Sequence, residues 1–267
     1  MSSPLAGRRV VSVAFNLPGP VAARRLADLG AHVVKVEPPG GDPLATYAPG
    51  LYAELAAGME VVTRDLKGGG AVELLADADV LLSSSRPSSL ERLGLGADVV
   101  AAHPRLCHVL IVGSERDPEA AGHDLNYQAA AGLVTDRLPS SLLADMAGGE
   151  RAAFAALALL AERERTGRGG AVHVGLADTA VLLAAPLRAG LTAPGGVLGG
   201  GNPFYAVYPA ADGAVAVGCL EPQFAERLAA ELGARTGDAL AAVFRTRPAG
   251  AWEAWARERD LPVTAVH

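Results

Sequence analysis

The sequence predicts an α/β protein in which a large domain with a parallel sheet precedes a smaller α+β domain. Three observations predict this. Short β-branched runs alternate with helical patterns along most of the chain, a glycine-rich stretch then interrupts them, and two strands follow around a short turn. We therefore expect a large domain over 1–190, a linker over 191–201 and a small domain over 202–267.

The first forty residues indicate the type of sheet. The run RVVSVAF (9–15) is apolar and β-branched, which is typical of a strand buried on both faces. Pro20 suits the first turn of a helix over 21–29, Gly30 suits its end, and AHVVKV (31–36) is a second strand. A strand, a helix and a strand in this order predict parallel pairing with a right-handed crossover.

The alternation continues through the rest of the large domain. We predict strands at 80–83, 106–113 and 172–176, and helices at 72–76, 88–93 with Ser88 as N-cap, 124–133, 145–166 and 178–189. In the small domain we predict a hairpin of strands 204–208 and 214–218, and helices at 222–232 and 251–258.

Composition excludes several classes of protein. Half of the residues are hydrophobic and 19% are charged, so the chain is not intrinsically disordered. A net charge of −6 argues against a nucleic-acid binder, which usually needs a basic face. The most apolar stretch, 172–187, is interrupted by His173, Asp178 and Pro186, so we expect no membrane helix.

The cysteines and histidines also narrow the possibilities. Cys107 and Cys219 have no metal-type spacing and no signal peptide precedes them, so we expect free thiols in a cytoplasmic protein. The six histidines show no ligand spacing either, and neither a GxGxxG motif nor a Walker loop is present. We therefore expect neither a metal nor a bound cofactor.

Two segments of the large domain place acid and base groups at helix starts. His123 and Asp124 precede a helix, where His123 can act as a general base, or Asp124 can simply cap the helix. Asp145 opens the longest helix and is followed by small residues, including Gly148, that would allow a ligand to come close. The alternative for Asp145 is again an ordinary N-cap.

Two further charged residues have both a functional and a structural interpretation. Glu221 ends a strand directly before Pro222, so it is either a functional carboxylate or an ordinary first-turn residue. Arg86 follows a predicted strand, where ligands of parallel sheets bind, or it is a solvated arginine in a turn.

Taken together, the motifs resemble the family III CoA-transferases, also called the CaiB/BaiF family, and within it the α-methylacyl-CoA racemases. The motifs GHDLNY (122–127) and EPQF (221–224) look like the racemase branch. The resemblance covers nearly the whole chain and is carried by GRRVVSV (7–13), LADLGAHVVKVEPP (26–39), RPSSLERLGLG (86–96), GHDLNY (122–127), ADMAG (144–148), AERERTGRGG (161–170), NPFYAVY (202–208) and LEPQF (220–224).

The resemblance implies a Rossmann-like large domain, a small domain and an intertwined homodimer, with an acyl thioester as the small-molecule substrate. It implies that His123 and Asp145 face opposite sides of the substrate α-carbon and that Glu221 supports the histidine. We include Asp124 in this catalytic group. Arg86, Tyr127 and Gly148 are the expected binding residues for the substrate or its CoA moiety.

These residue types suit the chemistry. An α-proton of a thioester is weakly acidic, so its removal needs a positioned base and stabilisation of the enolate oxygen. Racemisation needs one such group on each face of the carbon. Backbone N–H groups around His123–Asn126 or Asp145–Gly148 are the expected enolate donors.

Three segments depart from the family pattern. Family members continue past the position of His267 with a segment that returns to the large domain, and we expect that segment to be absent here. A basic patch that binds CoA phosphates is replaced by AAGME (56–60), and a glycine-rich loop by SERDPE (114–119). Loss of phosphate-pairing cations should weaken CoA binding, since each such pair contributes about 1.5–3 kcal/mol.

The leading interpretation is a racemase-type isomerase that epimerises the α-carbon of an acyl thioester. A first alternative is a CoA-transferase in which Asp145 is the nucleophile. A second alternative is a repurposed relative that applies the same acid and base groups to a non-CoA substrate, or that serves as a non-catalytic partner. We expect no nucleic-acid or membrane partner.

Overall fold

The computed structural model of the protein describes residues 3–67 and 69–267. Contacts divide the chain into two units, one ending at Leu183 and the other running from Ala184 to His267. The strands of the first unit are β1 (Arg9–Val13), β2 (His32–Glu37), β3 (Glu60–Thr63), β4 (Val80–Ser83), β5 (Cys107–Val112) and β6 (Ala171–Gly175). Its helices are α1 (Pro18–Asp28), α2 (Pro43–Tyr47), α3 (Pro49–Ala56), α4 (Pro87–Arg92), α5 (Ala97–Ala101), α6 (Asp124–Ala130), α7 (Leu143–Thr166) and α8 (Leu176–Leu183).

The six strands form one parallel sheet in the order β3-β2-β1-β4-β5-β6, which confirms the predicted α/β class and its Rossmann-like topology. Successive residues of β1 point to opposite faces, so Val10 and Val11 belong to different hydrophobic clusters. The strand order reverses between β1 and β4. In parallel sheets, ligands bind at the carboxyl ends of the strands beside such a reversal.

The turn between β1 and α1 is tight, and this fixes where the chain leaves the sheet. A Cβ atom at Gly19 would lie 2.5 Å from Cβ of Ala14, so only glycine fits there. Pro18 and Pro20 occupy the first turn of α1, where a missing N–H costs nothing. The residues between Ala14 and Pro18 are therefore held against the carboxyl end of the sheet.

Among the helix boundaries that differ from the prediction, three have a clear physical reason. Helix α4 begins at Pro87 with Arg86 as N-cap, because proline suits the first helical position, and Ser88 instead donates its hydroxyl to Glu119. Helix α7 begins at Leu143, so Asp145 lies inside its first turn and is not the cap. The predicted helix over 178–189 is interrupted after Leu183, because a proline at 186 cannot continue the hydrogen-bond ladder.

The second unit contains α9 (Ala185–Arg188), β7 (Tyr205–Pro209), β8 (Ala214–Gly218), α10 (Pro222–Leu232), α11 (Gly237–Phe244), α12 (Ala249–Arg257) and β9 (Val263–Val266). Strands β7 and β8 form the predicted antiparallel hairpin, and β9 pairs with β8. The core centres on Trp252 and Phe244, and the Trp252 indole N–H donates to the Phe244 carbonyl at 2.7 Å.

The glycine-rich segment that we predicted as a linker is folded. Backbone hydrogen bonds join Leu198 to Leu191 and Gly201 to Gly196, so the segment is a closed turn within the second unit. Cys107 and Cys219 are buried and free. Across the described residues, no helix combines the length and the apolar character needed to cross a membrane.

Candidate active site

A cavity of about 190 Å³ lies at the carboxyl end of the parallel sheet, beside the reversal of strand order. Residues that follow β1, β4 and β5 form its base, among them Asn16, Ser84 and Gly113. The Ser84 hydroxyl accepts the N–H of Phe15 at 2.9 Å, which ties the ends of β1 and β4 together. The cavity therefore sits where this topology places ligands.

His123 borders this cavity from the start of α6. It is the N-cap of that helix, with an extended backbone, and its own N–H donates to Oδ1 of Asn126 at 3.1 Å. The side chain is exposed, so the imidazole is accessible to a molecule in the cavity. A histidine in this position can exchange a proton with a bound substrate.

Asp145 borders the same cavity and is half-buried. No described residue donates a hydrogen bond to its carboxyl group. Burial, and to a smaller degree the negative charge of Asp124, together raise the pKa of Asp145 to about 7. At neutral pH, the carboxyl group is therefore present in both its protonated and its ionised form.

Asp124 is buried at the first position of α6 and connects the two helices that carry His123 and Asp145. Its Oδ1 atom accepts the backbone N–H of Asp145 at 3.0 Å, and its Oδ2 atom accepts a hydrogen bond from Gln128. The Gln128 amide also donates to the Ser141 carbonyl at 3.1 Å. Asp124 thus fixes the start of α7 relative to α6 and does not itself line the cavity.

This arrangement changes one expectation about backbone donors. The N–H of Asp145 was expected to be available for an enolate oxygen, but it is occupied by Asp124. At the start of α6, the N–H of His123 donates to Oδ1 of Asn126 at 3.1 Å and the N–H of Asn126 donates to the His123 carbonyl at 2.9 Å, so these two expected donors are occupied as well. A negative oxygen in the cavity therefore needs donors other than Asp145.

Two of the predicted binding residues also line the cavity. Tyr127 packs its ring against Gly122 and its hydroxyl against Gly113, where a Cβ atom would come within 2.5 Å and 2.7 Å of the side chain. Burial, followed by the charge of Asp145, raises the pKa of Tyr127, so its hydroxyl stays protonated. Arg86 is exposed at the cavity rim, directly after β4.

Gly148 and Glu221 are not among the residues that line the cavity. A Cβ atom at Gly148 would come within 2.3 Å of Leu176 Cδ2, so this glycine is explained by packing against a residue that forms the cavity wall. Glu221 belongs to the second unit, where it is the N-cap of α10 but makes no side-chain capping bond. Glu221 therefore has the helix-start position of the structural interpretation, but without a capping hydrogen bond.

The loop over 114–121, where the resemblance implies a glycine-rich loop, forms another wall of the cavity through Pro118 and Ala120. Two carboxylates anchor it. Glu115 accepts the N–H of Gly175 at 3.2 Å, and Glu119 accepts both the N–H and the hydroxyl of Ser88 at 2.8 Å. The sequence predicted that this loop is remodelled, but not that Glu115 attaches it to β6 and Glu119 attaches it to α4.

Sequence reasoning missed Asn16, which lines the cavity at the end of β1. The available signal was a polar residue directly after a predicted buried strand, before the turn that ends in Pro20. Metal-ligating groups were not expected, and no cluster of three or more potential ligands occurs among the described residues.

The chain is similar in sequence to an acyl-CoA racemase and to a probable acyl-CoA transferase. The chain is 35% identical to the human α-methylacyl-CoA racemase over 259 residues, which cover 88% of the chain and 66% of that racemase. It is 36% identical to a probable fatty acyl-CoA transferase of Mycobacterium tuberculosis over 214 residues, which cover 69% of the chain and 53% of the transferase. The chain thus spans about half to two thirds of the length of these relatives.

A solved structure and a family model match the chain over nearly all of its length. A hypothetical protein from Mycobacterium tuberculosis superimposes with a TM-score of 0.83 and 28% identity, covering 99% of this chain and 84% of the other. The model described as CoA-transferase family III matches residues 5–267. Given this match together with the parallel sheet and the cavity at its carboxyl end, the chain belongs to CoA-transferase family III.

Proposed function

We propose that this protein is an isomerase of the α-methylacyl-CoA racemase type, which epimerises the α-carbon of an acyl thioester by 1,1-proton transfer. One observation carries the proposal. His123 and Asp145 border one cavity, and the pKa of the Asp145 carboxyl is raised to about 7. A histidine and a carboxylic acid that is half-protonated at neutral pH are a suitable base and acid for this reaction.

In the proposed mechanism, His123 takes the α-proton from one face and the neutral carboxyl group of Asp145 returns a proton to the other face. The roles reverse for the opposite epimer, with Asp145 as carboxylate and base. Asp124 holds the backbone of Asp145 in position, and burial together with the charge of Asp124 keeps the pKa of Asp145 near 7. We expect Glu221 to assist His123, and the chain to act as a homodimer, as the resemblance implies.

The test uses resolved 2-methylacyl thioesters in D₂O. Epimerisation should be accompanied by incorporation of one deuterium at the α-carbon, without an acyl acceptor. His123→Gln and Asp145→Asn should each lower the rate by about 100-fold or more, since acid–base groups contribute factors of this size. His32→Gln, at an exposed histidine away from the cavity, is the matched control. Epimerisation that persists in both cavity variants would contradict the mechanism.

A CoA-transferase is the second candidate, and the free carboxyl group of Asp145 in the cavity favours it. A carboxylate oxygen would attack the thioester carbonyl, the C–S bond would break, and the thiolate would leave a mixed anhydride on Asp145. Hydroxylamine would convert this anhydride to a hydroxamate that peptide mass spectrometry locates. A hydroxamate at Asp145, with transfer to an added carboxylic acid, would favour this candidate over the isomerase.

The acyl carrier is a separate part of the proposal. The segment over 56–60, where the resemblance implies a basic patch, contains no cation. It ends in Glu60, the first residue of β3, whose carboxylate lies 3.1 Å from Nε2 of His32. We propose that the carrier differs from free CoA or binds with fewer phosphate contacts. Calorimetric titration with CoA tests this, and micromolar affinity would remove the reason for proposing a changed carrier.

A further inference from the structure

Asn16 has an unusual backbone for a residue of its type. Its φ angle is 62°, in the left-handed region, and Asp260 is the other non-glycine residue of the described chain with a positive φ. Asparagine enters this region more readily than other side chains, but the conformation still requires support from its surroundings. In Asn16 that conformation occurs on the wall of the cavity that contains His123 and Asp145.

A buried ion pair supplies the support. The N–H of Asn16 donates to Oδ1 of Asp42 at 3.0 Å, and Oδ2 of Asp42 accepts from Nζ of Lys35 at 2.7 Å. Both charged side chains are fully buried. A buried ion pair contributes little net stability because desolvation opposes the attraction. Its consequence here is that the Asp42 carboxylate is held in one position, where it accepts the backbone N–H of Asn16 beside the cavity.

The side chain of Asn16 is oriented as well. The Tyr47 hydroxyl donates to Oδ1 of Asn16 at 2.6 Å. Burial and the charges of Asp42 and Asp145 raise the pKa of Tyr47, so this hydroxyl remains a donor at neutral pH. Because Oδ1 is engaged by Tyr47, the amide NH₂ group occupies the other position, and it has no acceptor among the described residues.

Asn16 therefore presents an oriented amide donor, without an acceptor among the described residues, in the cavity that the proposed acid and base border. We propose that Nδ2 of Asn16 donates a hydrogen bond to the thioester carbonyl oxygen of the bound substrate, in the cavity bordered by His123 and Asp145. This inference rests on the proposed function. That oxygen gains negative charge in the enolate of an isomerase and also in the tetrahedral intermediate of a transferase, so Asn16 has the same role in both.

Preorganisation explains the surrounding contacts. A donor stabilises developing charge best when it is already aimed and does not reorganise during the reaction. Asp42 fixes the backbone of Asn16, and Tyr47 fixes its amide. The N–H of Asp145, which could have served the same oxygen, is committed to Asp124.

Kinetics of two substitutions test the donor. Asn16→Gly retains the left-handed backbone at no cost and removes the amide. Asn16→Asp keeps the shape but replaces the donor with an acceptor. Each should lower kcat for α-deuterium exchange by about 100-fold, the effect typical of losing one such donor, with a much smaller change in KM. Tyr47→Phe should lower kcat less, by about 10-fold, because the amide remains but loses its orientation.

A purely structural role predicts a different result. If Asn16 served only to shape the turn, Asn16→Gly would leave kcat at the wild-type value and would leave the melting temperature unchanged. Wild-type kcat in Asn16→Gly therefore overturns the proposal.

A binding measurement separates this inference from the proposed function. Asparagine occurs only at 16, 126 and 202, so selective ¹⁵N-asparagine labelling yields three side-chain amide signals, and Asn16→Asp identifies one of them. The probes are isobutyryl-CoA and the isobutyryl thioester of N-acetylcysteamine. We expect the Asn16 amide protons to move downfield on saturation, together with the signal of Asn126 beside His123.

Each other outcome is decisive. A shift at Asn126 with none at Asn16 means that the thioester binds but does not engage Asn16, which overturns the inference and leaves the proposed function standing. No shift at either residue, with no deuterium exchange by the wild-type protein, overturns both.

Discussion

The pKa of Asp145 is raised by burial and, to a smaller degree, by one neighbouring carboxylate, Asp124. The two residues are 21 positions apart in sequence, yet an Asp124 oxygen accepts the Asp145 N–H at 3.0 Å. A second carboxylate this close opposes ionisation of the first, and burial opposes it more strongly. The proton affinity of Asp145 is thus a property of the pair and of the cavity wall, and not of aspartate as such.

The first prediction concerns this pair. Asp124→Asn removes the negative charge, so the pKa of Asp145 should fall from about 7 toward that of an ordinary carboxyl group, while burial keeps it above that value. The ¹³C chemical shift of the Asp145 carboxyl group as a function of pH measures this. Asp98→Asn, at an exposed aspartate in α5, is the control and should change nothing. An unchanged titration of Asp145 in Asp124→Asn would contradict the assigned cause.

The second prediction concerns stability and pH. The folded pKa of Asp145 is raised, so between about pH 4 and 7 the folded protein holds a proton that the unfolded chain has released. Stability from this group is therefore present at low pH and is lost as pH rises to about 7. Asp145→Asn, which cannot ionise, should raise the melting temperature, and the gain should grow from pH 4 to pH 7 and then level off.

Calorimetric scans of Asp145→Asn and the wild type at pH 4, 5.5, 7 and 8 check this. A gain that is the same at every pH would indicate that ionisation of Asp145 is not its cause. Loss of activity together with a gain in stability is the expected combination for a strained functional group.

At the scale of elements, the packing of α7 against its neighbours positions the cavity. Its consecutive glycines face different partners. A Cβ atom at Gly149 would come within 2.7 Å of the Pro18 carbonyl and of Val21 in α1, whereas one at Gly148 would meet the end of the Leu176 side chain. A backbone carbonyl cannot move aside, but a leucine side chain can.

This difference gives the third prediction. Gly149→Ala should lower the free energy of unfolding by about 1–3 kcal/mol through overpacking against α1. Gly148→Ala should cost less, because alanine favours the helix by about 1 kcal/mol and Leu176 can shift. Since Leu176 lines the cavity, Gly148→Ala should instead raise KM for the thioester. Urea unfolding and steady-state kinetics of both variants check this, and equal unfolding costs would contradict it.

Comparison of the helices and strands shows which of them the sequence pattern is sufficient to predict. Strands such as Val80–Ser83 and Cys107–Val112 are buried on both faces, so they stand out as continuous apolar runs. Strand β3 and helix α11 were missed. In β3, the residues Glu60–Thr63 are mostly exposed at the sheet edge, which leaves no alternation of apolar and polar positions to detect.

At the scale of the whole molecule, the chain consists of two units with separate hydrophobic cores. The first unit contains the cavity with His123 and Asp145, and the second contains Glu221. Glu221 is exposed and makes no capping bond, so its side chain is available to another group. Substitution of Glu221 therefore tests whether catalysis depends on this residue of the second unit.

The fourth prediction follows. Under the proposal that Glu221 assists His123, Glu221→Gln should lower kcat for epimerisation by about 10-fold or more and should shift the pH profile toward lower pH, because a nearby carboxylate favours the protonated form of a histidine. The melting temperature should not change. Glu258→Gln, at an exposed glutamate of the same unit, is the control. A wild-type rate and pH profile in Glu221→Gln would show that the first unit suffices.

The sequence by itself determined the parallel sheet, the hairpin of the second unit, the family, and the residue types available for proton transfer. These properties depend on local hydrophobic periodicity and on short motifs, and both are read directly from the order of the residues. Only the tertiary structure decided that His123 and Asp145 border one cavity, that Asp124 occupies the Asp145 N–H, and that Asn16 presents a free amide there. Proton affinity and donor availability depend on burial and on charges contributed by residues distant in sequence, and folding is what brings those residues together.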